Sequence, residues 1–332
     1  MTMFNTKHSF KKATLTAKLA LGALALGSAA AASAAYPERP ITMVVSYPPG
    51  GTVDLVARLM APELEKELGQ TVIVDNKGGA GGMLGGAYVS RAKPDGYTIL
   101  MDASNHAQNP ALREKMTFDT LKDFSPVSLL IKVPNVLVVN PSSSIKTVAD
   151  VKAEDKASEH TLYYASSGPG SAQHLAGELF NVLAGTKLIH VPYKGGGPAM
   201  IDVMGNQVPM MFASLGSSWT HIKSGKLRAI AVGGTERTKL LPEVPTIAEE
   251  GLAGYASYEW NAIFAPAGTP QDILDRLSAA FAKVLQDPAV QQRLADLGAD
   301  TIGSSPDELR SFVQEEITKW KGVAAKAKIS LD

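Results

Sequence analysis

Eight consecutive residues, Tyr47-Pro48-Pro49-Gly50-Gly51-Thr52-Val53-Asp54, join an apolar strand pattern to the start of a helix pattern. Gly50 and Gly51 let backbone approach a bound group. Free N–H groups and the helix dipole at such a point make an anion site. A plainer reading has the glycines only turning the chain, with Asp54 capping the first helical turn in the manner of a capping box. Tyr163-Tyr164-Ala165-Ser166-Ser167-Gly168-Pro169-Gly170-Ser171 repeats the design of strand, Gly/Ser loop and helix, and adds three hydroxyls. By itself it is also a turn with an N-cap at Ser171. Two such loops in separate parts of the chain point to one anion held between them, without a buried cation.

Enzyme chemistry finds little support. Gly78-Gly79-Ala80-Gly81-Gly82 looks like a dinucleotide loop, but the third glycine of the fingerprint would fall at Leu84. There is no P-loop and no nucleophile elbow. Ser143-Ser144-Ile145-Lys146 has the spacing of a Ser–Lys pair, yet it follows Asn140-Pro141 and reads as a turn entering a helix. The chain has no cysteine, which excludes disulfides, thiolate metal sites and thiol nucleophiles. His106, His160, His174, His190 and His221 fall in no metal-ligand spacing. No catalytic residue, metal or cofactor is therefore expected. His174, one turn into the second loop's helix, is a candidate ligand contact, against the commoner fate of a core or surface histidine. Trp260 is a candidate cleft residue, Trp320 a core residue, and Lys194 a cation near a strand end that turns more often leave in solvent.

These residues need a frame. Strands and helices alternate almost throughout, which argues for α/β architecture with mixed sheets flanked by helices. Strand patterns at 41–46, 71–75 and 97–102 with intervening helices, the first from about Thr52 to Leu68, resemble half of a doubly wound sheet. Strands near 136–139, 161–165, 187–193, 208–213 and 227–232 repeat the theme, followed by a strand near 259–265 and three helices. No linker separates the halves, so the chain is expected to cross between two lobes at 136–139 and 258–265. Domain I would comprise 36–138 plus 262–332, and domain II 139–261.

The first 35 residues read as a cleavable secretory signal. Lys7, Lys11, Lys12 and Lys18 precede a short run rich in Ala and Leu that ends in Ala32-Ser33-Ala34-Ala35. The run is too short and too soft for a membrane span, and without cysteine there is no lipid anchor. A periplasmic location follows. Cleavage leaves 297 residues with 28 basic against 32 acidic ones, so nucleic acid is not an expected partner. A monomer is expected.

The chain resembles the Bug proteins, the TctC-like receptors of tripartite tricarboxylate transporters. The markers cover the mature chain: Tyr36-Pro-Glu-Arg-Pro-Ile41, Pro49-Gly-Gly-Thr-Val-Asp54, Gly78-Gly-Ala-Gly-Gly82, Pro94-Asp-Gly-Tyr97 and Asp123-Phe-Ser-Pro-Val127. Tyr164-Ala-Ser-Ser-Gly168, His174-Leu-Ala-Gly-Glu-Leu-Phe180, His190-Val-Pro-Tyr-Lys-Gly195, Leu241-Pro-Glu-Val-Pro-Thr246 and Ala265-Pro-Ala-Gly-Thr-Pro270 continue them. The resemblance implies a two-domain Venus-flytrap fold, type II-like, with a small carboxylate in the interdomain cleft and a membrane permease as partner. It maps the family's two ligand loops onto Tyr47–Asp54, with Tyr47, Gly50, Gly51, Thr52 and Asp54 as contacts, and Ser166–Ser171, with Ser166, Ser167, Gly170 and Ser171, and a further contact region onto Met211-Phe212-Ala213-Ser214, with Ala213 and Ser214; Ser104 after the third strand and His174 complete the expected ligand contacts.

Three places depart from the family pattern. Ala213-Ser214 stands where many relatives carry Asp-Asn, Tyr47-Pro48 where Phe-Ala is common, and Asn105-His106 follows the third strand. Loss of an acid at 213 disfavours an amino group, so a di- or tricarboxylate or an aromatic acid is expected over an amino acid. Two alternatives stand beside transport: a sensor that presents its ligand to a receptor kinase, and a periplasmic enzyme acting on small acids.

Overall fold

The computed structural model describes residues 36–159 and 161–331. The expected signal and His160 lie outside the described residues. From Arg39 onward the chain forms one compact unit, built on an α/β plan of mixed sheet and flanking helices, as expected.

Strand β1 (Ile41–Val45) leads into helix α1 (Thr52–Leu68), then β2 (Val72–Asn76), a 3-10 turn (Ala80–Gly82), α2 (Met83–Val89), β3 (Thr98–Ala103) and α3 (Asn105–Leu112). β1 pairs in parallel with both β2 and β3. Parallel neighbours need a crossover, and α1 and α2 provide it. Such strands are covered on both faces, which is why Ile41, Met43, Val44 and Val45 are fully buried.

The long β4 (Phe124–Val139) follows, then α4 (Val148–Ala157), β5 (Tyr163–Ser166), α5 (Ala172–Ala184), β6 (Ile189–Pro192), α6 (Gly196–Met204), β7 (Met210–Ser214), α7 (Leu215–Lys223) and β8 (Arg228–Val232). The chain closes with β9 (Tyr258–Pro266), α8 (Gln271–Leu285), α9 (Pro288–Asp296), the short β10 (Asp300–Thr301) and α10 (Pro306–Ala327). The sheet order is β2-β1-β3-β9-β4-β7-β5-β6, with β8 and β10 also on β4.

β4 changes partners along its length. Up to Pro134 it runs antiparallel to β9; from Asn135 it pairs with β7 and β8. The expected crossover at 136–139 is thus the end of a strand of 16 residues, and the partner change comes a few residues earlier. Asn135 ties the junction: its side chain donates to Ser257 Oγ at 2.8 Å, and its carbonyl accepts from Gly233 at 2.6 Å. A Cβ on Gly233 would stand 3.0 Å from the Asn135 carbonyl and 3.1 Å from that of Ser257, so the close approach needs glycine.

Two apolar clusters flank this junction. One gathers Val44, Leu100, Trp260 and Phe264; the other gathers Leu137, Tyr164, Phe180 and Phe212. Helix α10 serves both, with Leu309, Val313 and Ile317 in the first and Trp320, Val323 and Ala324 in the second. Its start is fixed by a capping box between Ser305 and Glu308. Among the described residues no helix is long and apolar enough to cross a membrane.

Candidate functional site

The turns after β1, β3 and β5 meet the face of β9 around a cavity of about 320 Å³. This is the carboxyl end of the parallel strands, where open α/β sheets place their ligands. Tyr47, Gly51, Thr52, Ser104, Ser167 and Ser171 line it, as do Asn105, Gln173, Glu259 and Asn261, which were not singled out as ligand contacts. Among the described residues no Lys or Arg lines it.

Two helix starts supply the amides. α1 begins at Gly51 without any side-chain cap, so its first-turn N–H groups lack a side-chain acceptor. At α5, Ser171 Oγ accepts from the His174 amide and donates to the Gly168 carbonyl at 2.7 Å. That cap leaves the Ala172 and Gln173 amides for an incoming anion.

Asp54 and Gly50 do not line the cavity. Asp54 is buried and ties the first loop together: it accepts from the Gly50 amide at 2.9 Å, from Arg58 Nε at 3.0 Å and from Asn76 Nδ2 at 2.9 Å. Asn76 also donates to the Tyr47 carbonyl at 3.0 Å. Burial alone would raise the pKa of Asp54, but the hydrogen bonds from Arg58, Gly50 and Asn76 outweigh it and hold the carboxyl below its usual range. Its work is to shape the turn.

Tyr47 carries its hydroxyl into the site and donates to Asn105 Oδ1 at 2.7 Å. Burial, followed by the charges of Asp102 and Glu259, pushes this phenol well above its ordinary pKa, so it stays a donor. The glycine run at 78–82 that fails as a dinucleotide fingerprint begins with a packing role. A Cβ on Gly78 would lie 2.7 Å from the Pro48 nitrogen.

The second loop is braced from behind. Ser166, Gly170 and His174 were expected to touch ligand, and the structure gives them supporting positions instead. Ser166 Oγ is fully buried, accepts from the Gly168 amide at 3.0 Å and bonds His190 Nε2 at 2.6 Å. His174 Nδ1 accepts from the Gly170 amide at 3.1 Å, which consumes that N–H and puts the ring proton on Nε2. The His174 and His190 rings stack at 3.9 Å between centroids. Burial, then the neighbouring His190, lowers His174 to about 3, and burial lowers His190 to about 4. Both are neutral at pH 7.

Ala213 and Ser214, at the end of β7, are also buried and off the cavity wall. Ser214 Oγ has no hydrogen bond of good geometry, though it lies beside the Glu259 carboxylate. Glu259 and Asn261 reach the cavity because residues two apart on a strand share a face. Trp260 between them points the other way, fully buried against Phe312, so it is a core residue and not a cleft one. His106 likewise turns into the core, with its ring 4.1 Å from Phe264, while Asn105 stays on the wall. Lys194 is not on the wall.

One cluster has the residue types of a hydrolase triad in the wrong order. Ser46 Oγ donates to Asp102 Oδ1 at 2.5 Å, and Asp102 Oδ2 meets His106 Nδ1 at 2.9 Å. The serine reaches the aspartate and not the imidazole, so the Ser–His contact of a triad is missing from this cluster. Among the described residues no group of three or more His, Asp or Glu could hold a metal.

The chain matches the model of the tripartite tricarboxylate transporter family receptor, TctC, over residues 56–329. It is 35% identical to the solved periplasmic binding protein BugD, covering 89% of this chain and 99% of that one with a TM-score of 0.76. Rpa4515 of R. palustris, solved with adipate, is 34% identical over 89% of this chain and 99% of its own, at a TM-score of 0.79. MatC (Rpa3494) of Rhodopseudomonas palustris, solved with bound malate, is 34% identical over 87% and 99%, at 0.76. With two amide-rich loops facing one cavity and this likeness along its length, the chain belongs to the TctC family of solute-binding receptors of tripartite tricarboxylate transporters.

Proposed function

We propose that this protein captures a small carboxylate in the cavity between its two Gly/Ser loops and hands it, unchanged, to the permease subunits of a tripartite tricarboxylate transporter. The observation that carries the reading is the pair of helix starts, α1 and α5, that bring first-turn amides and the hydroxyl of Thr52 to one cavity. Such donors hold a carboxylate without a cation. The adipate and malate bound by two relatives fit the same chemistry.

Capture works through two lobes, 36–138 with 262–332 and 139–261, that close on the ligand. The junction of Asn135, Ser257 and Gly233, where β4 changes partners, is suited to be the hinge. Ligand stabilises the closed form by its differential affinity for it. The protein acts as a periplasmic monomer, released from its signal near Ala35, and no bond is broken in its cycle.

A thermal-shift panel of di- and tricarboxylates, aromatic acids and amino acids on ligand-stripped protein tests the reading. An acid at about 100 times its Kd adds about 2.7 kcal/mol, a rise of about 5 °C in Tm for a chain of this size. If no acid moves Tm at millimolar concentration, the carboxylate reading is wrong.

A further inference from the structure

Among the described residues Glu259 is the one carboxylate on a cavity wall that carries no Lys or Arg. A receptor for anions places an acid there only if the acid meets something. Its Oε1 is held by Gln173 Nε2, and Gln173 Oε1 in turn accepts from Ser167 Oγ at 2.5 Å. The relay fixes the carboxylate against the second anion loop without neutralising it. Two residues along the same face of β9, Asn261 is 3% exposed and its Oδ1 has no partner. Asn261 Nδ2 donates to the Trp260 carbonyl at 3.0 Å, which leaves the oxygen as the free end of the amide. The wall formed by β9 therefore offers two acceptors, and the helix starts opposite in character offer donors.

We propose that Glu259, with Asn261, is the specificity wall of the site and selects a carboxylate that also carries an ammonium group, the chemistry of an amino acid. The proposal rests on the carboxylate reading above and narrows it. The ligand's carboxylate takes the amides of α1 and α5, and its ammonium donates to Glu259 and Asn261 Oδ1. The ammonium then offsets the charge of Glu259, while the helix-start amides hold the ligand's carboxylate. A second carboxylate against this wall meets two acceptors and a like charge, with no donor to offset either.

Burial raises the pKa of Glu259 and the hydrogen bond from Gln173 opposes it, and a cationic ligand group beside the carboxylate favours its ionised form. Ser214 Oγ lies beside Glu259, and the proposal departs from the expectation against an amino group drawn from Ala213-Ser214.

The test is titration calorimetry on ligand-stripped protein with matched acids. Aspartate, malate and succinate differ only in carrying ammonium, hydroxyl or hydrogen; 2-aminoadipate against adipate and alanine against propionate extend the comparison. The ammonium member binds at least 10-fold tighter than its hydrogen counterpart in the series that fits. Glu259→Gln lowers affinity for that member at least 30-fold and leaves the counterpart within 3-fold. Glu259→Asp keeps the charge and the order of preference, and unchanged melting curves for both variants exclude a folding defect. Equal or tighter binding of the deaminated acid, or a Glu259→Gln variant that keeps the amino preference, overturns the proposal and leaves carboxylate capture standing. If no carboxylate of any class binds, carboxylate capture itself is wrong, and the proposal falls with it.

Discussion

Asn105 donates its side-chain amide to the carbonyl of Gly170 at 3.3 Å, joining the turn after β3 to the loop after β5. The same side chain accepts from the Tyr47 hydroxyl at 2.7 Å. One amide thus connects both anion loops, reaching 58 residues back to Tyr47 and 65 residues on to Gly170. A latch in this position favours the closed form.

Asn105→Ala removes the latch and the acceptor for Tyr47. A hydrogen bond is worth about 0.5–1.5 kcal/mol net, so ligand affinity falls about 3- to 10-fold, chiefly through a faster off-rate. Stopped-flow dissociation of a bound carboxylate, with circular dichroism as the fold control, measures this. An unchanged off-rate contradicts the latch.

Asp54 governs loop shape and not ligand charge. Asp54→Ala strands the Gly50 amide, Arg58 and Asn76 around a vacated buried position, and unfolding in urea shows a loss of about 2–3 kcal/mol. Asp54→Asn keeps the shape and part of the bonding and loses less. A variant lacking the carboxylate with full stability removes the structural role argued for it.

The His174–His190 stack sets a pH dependence. Both rings have folded pKa values, about 3 and about 4, below the ordinary 6.5. The unfolded chain therefore takes up protons that the folded one refuses as pH falls below about 6.5, so stability is fully present above that pH. It is lost progressively down to about 3 to 4. Melting temperature drops across this window, and His190→Gln flattens the slope. A slope that survives the substitution assigns the effect to other groups.

Loop chemistry was readable from the sequence because it is local. A strand, a Gly/Ser turn and a helix start within about ten residues define both anion loops, and Thr52 and Ser171 fall where the pattern puts them. Glu259 and Asn261 were not readable as wall residues. Their facing depends on β9 pairing antiparallel with β3 and β4, contacts made with chain more than a hundred residues away. Only 136–139 of β4 was read as strand; the structure runs the strand from Phe124, with Pro126 where the register shifts and Pro134 at the end of the β9 ladder. His174 sits in the first turn of the helix after the second loop, as expected, but its ring packs behind the loop on His190.

Carboxylate capture without chemistry is settled by calorimetry on ligand-stripped protein with the acid that most raises Tm, followed by recovery of that acid. Binding with one site per chain, lost when Ser167 and Ser171 are both changed to Ala, and recovery of the acid unaltered is the expected result. Heat without saturation, or conversion of the acid to another compound, contradicts reversible capture by the two loops.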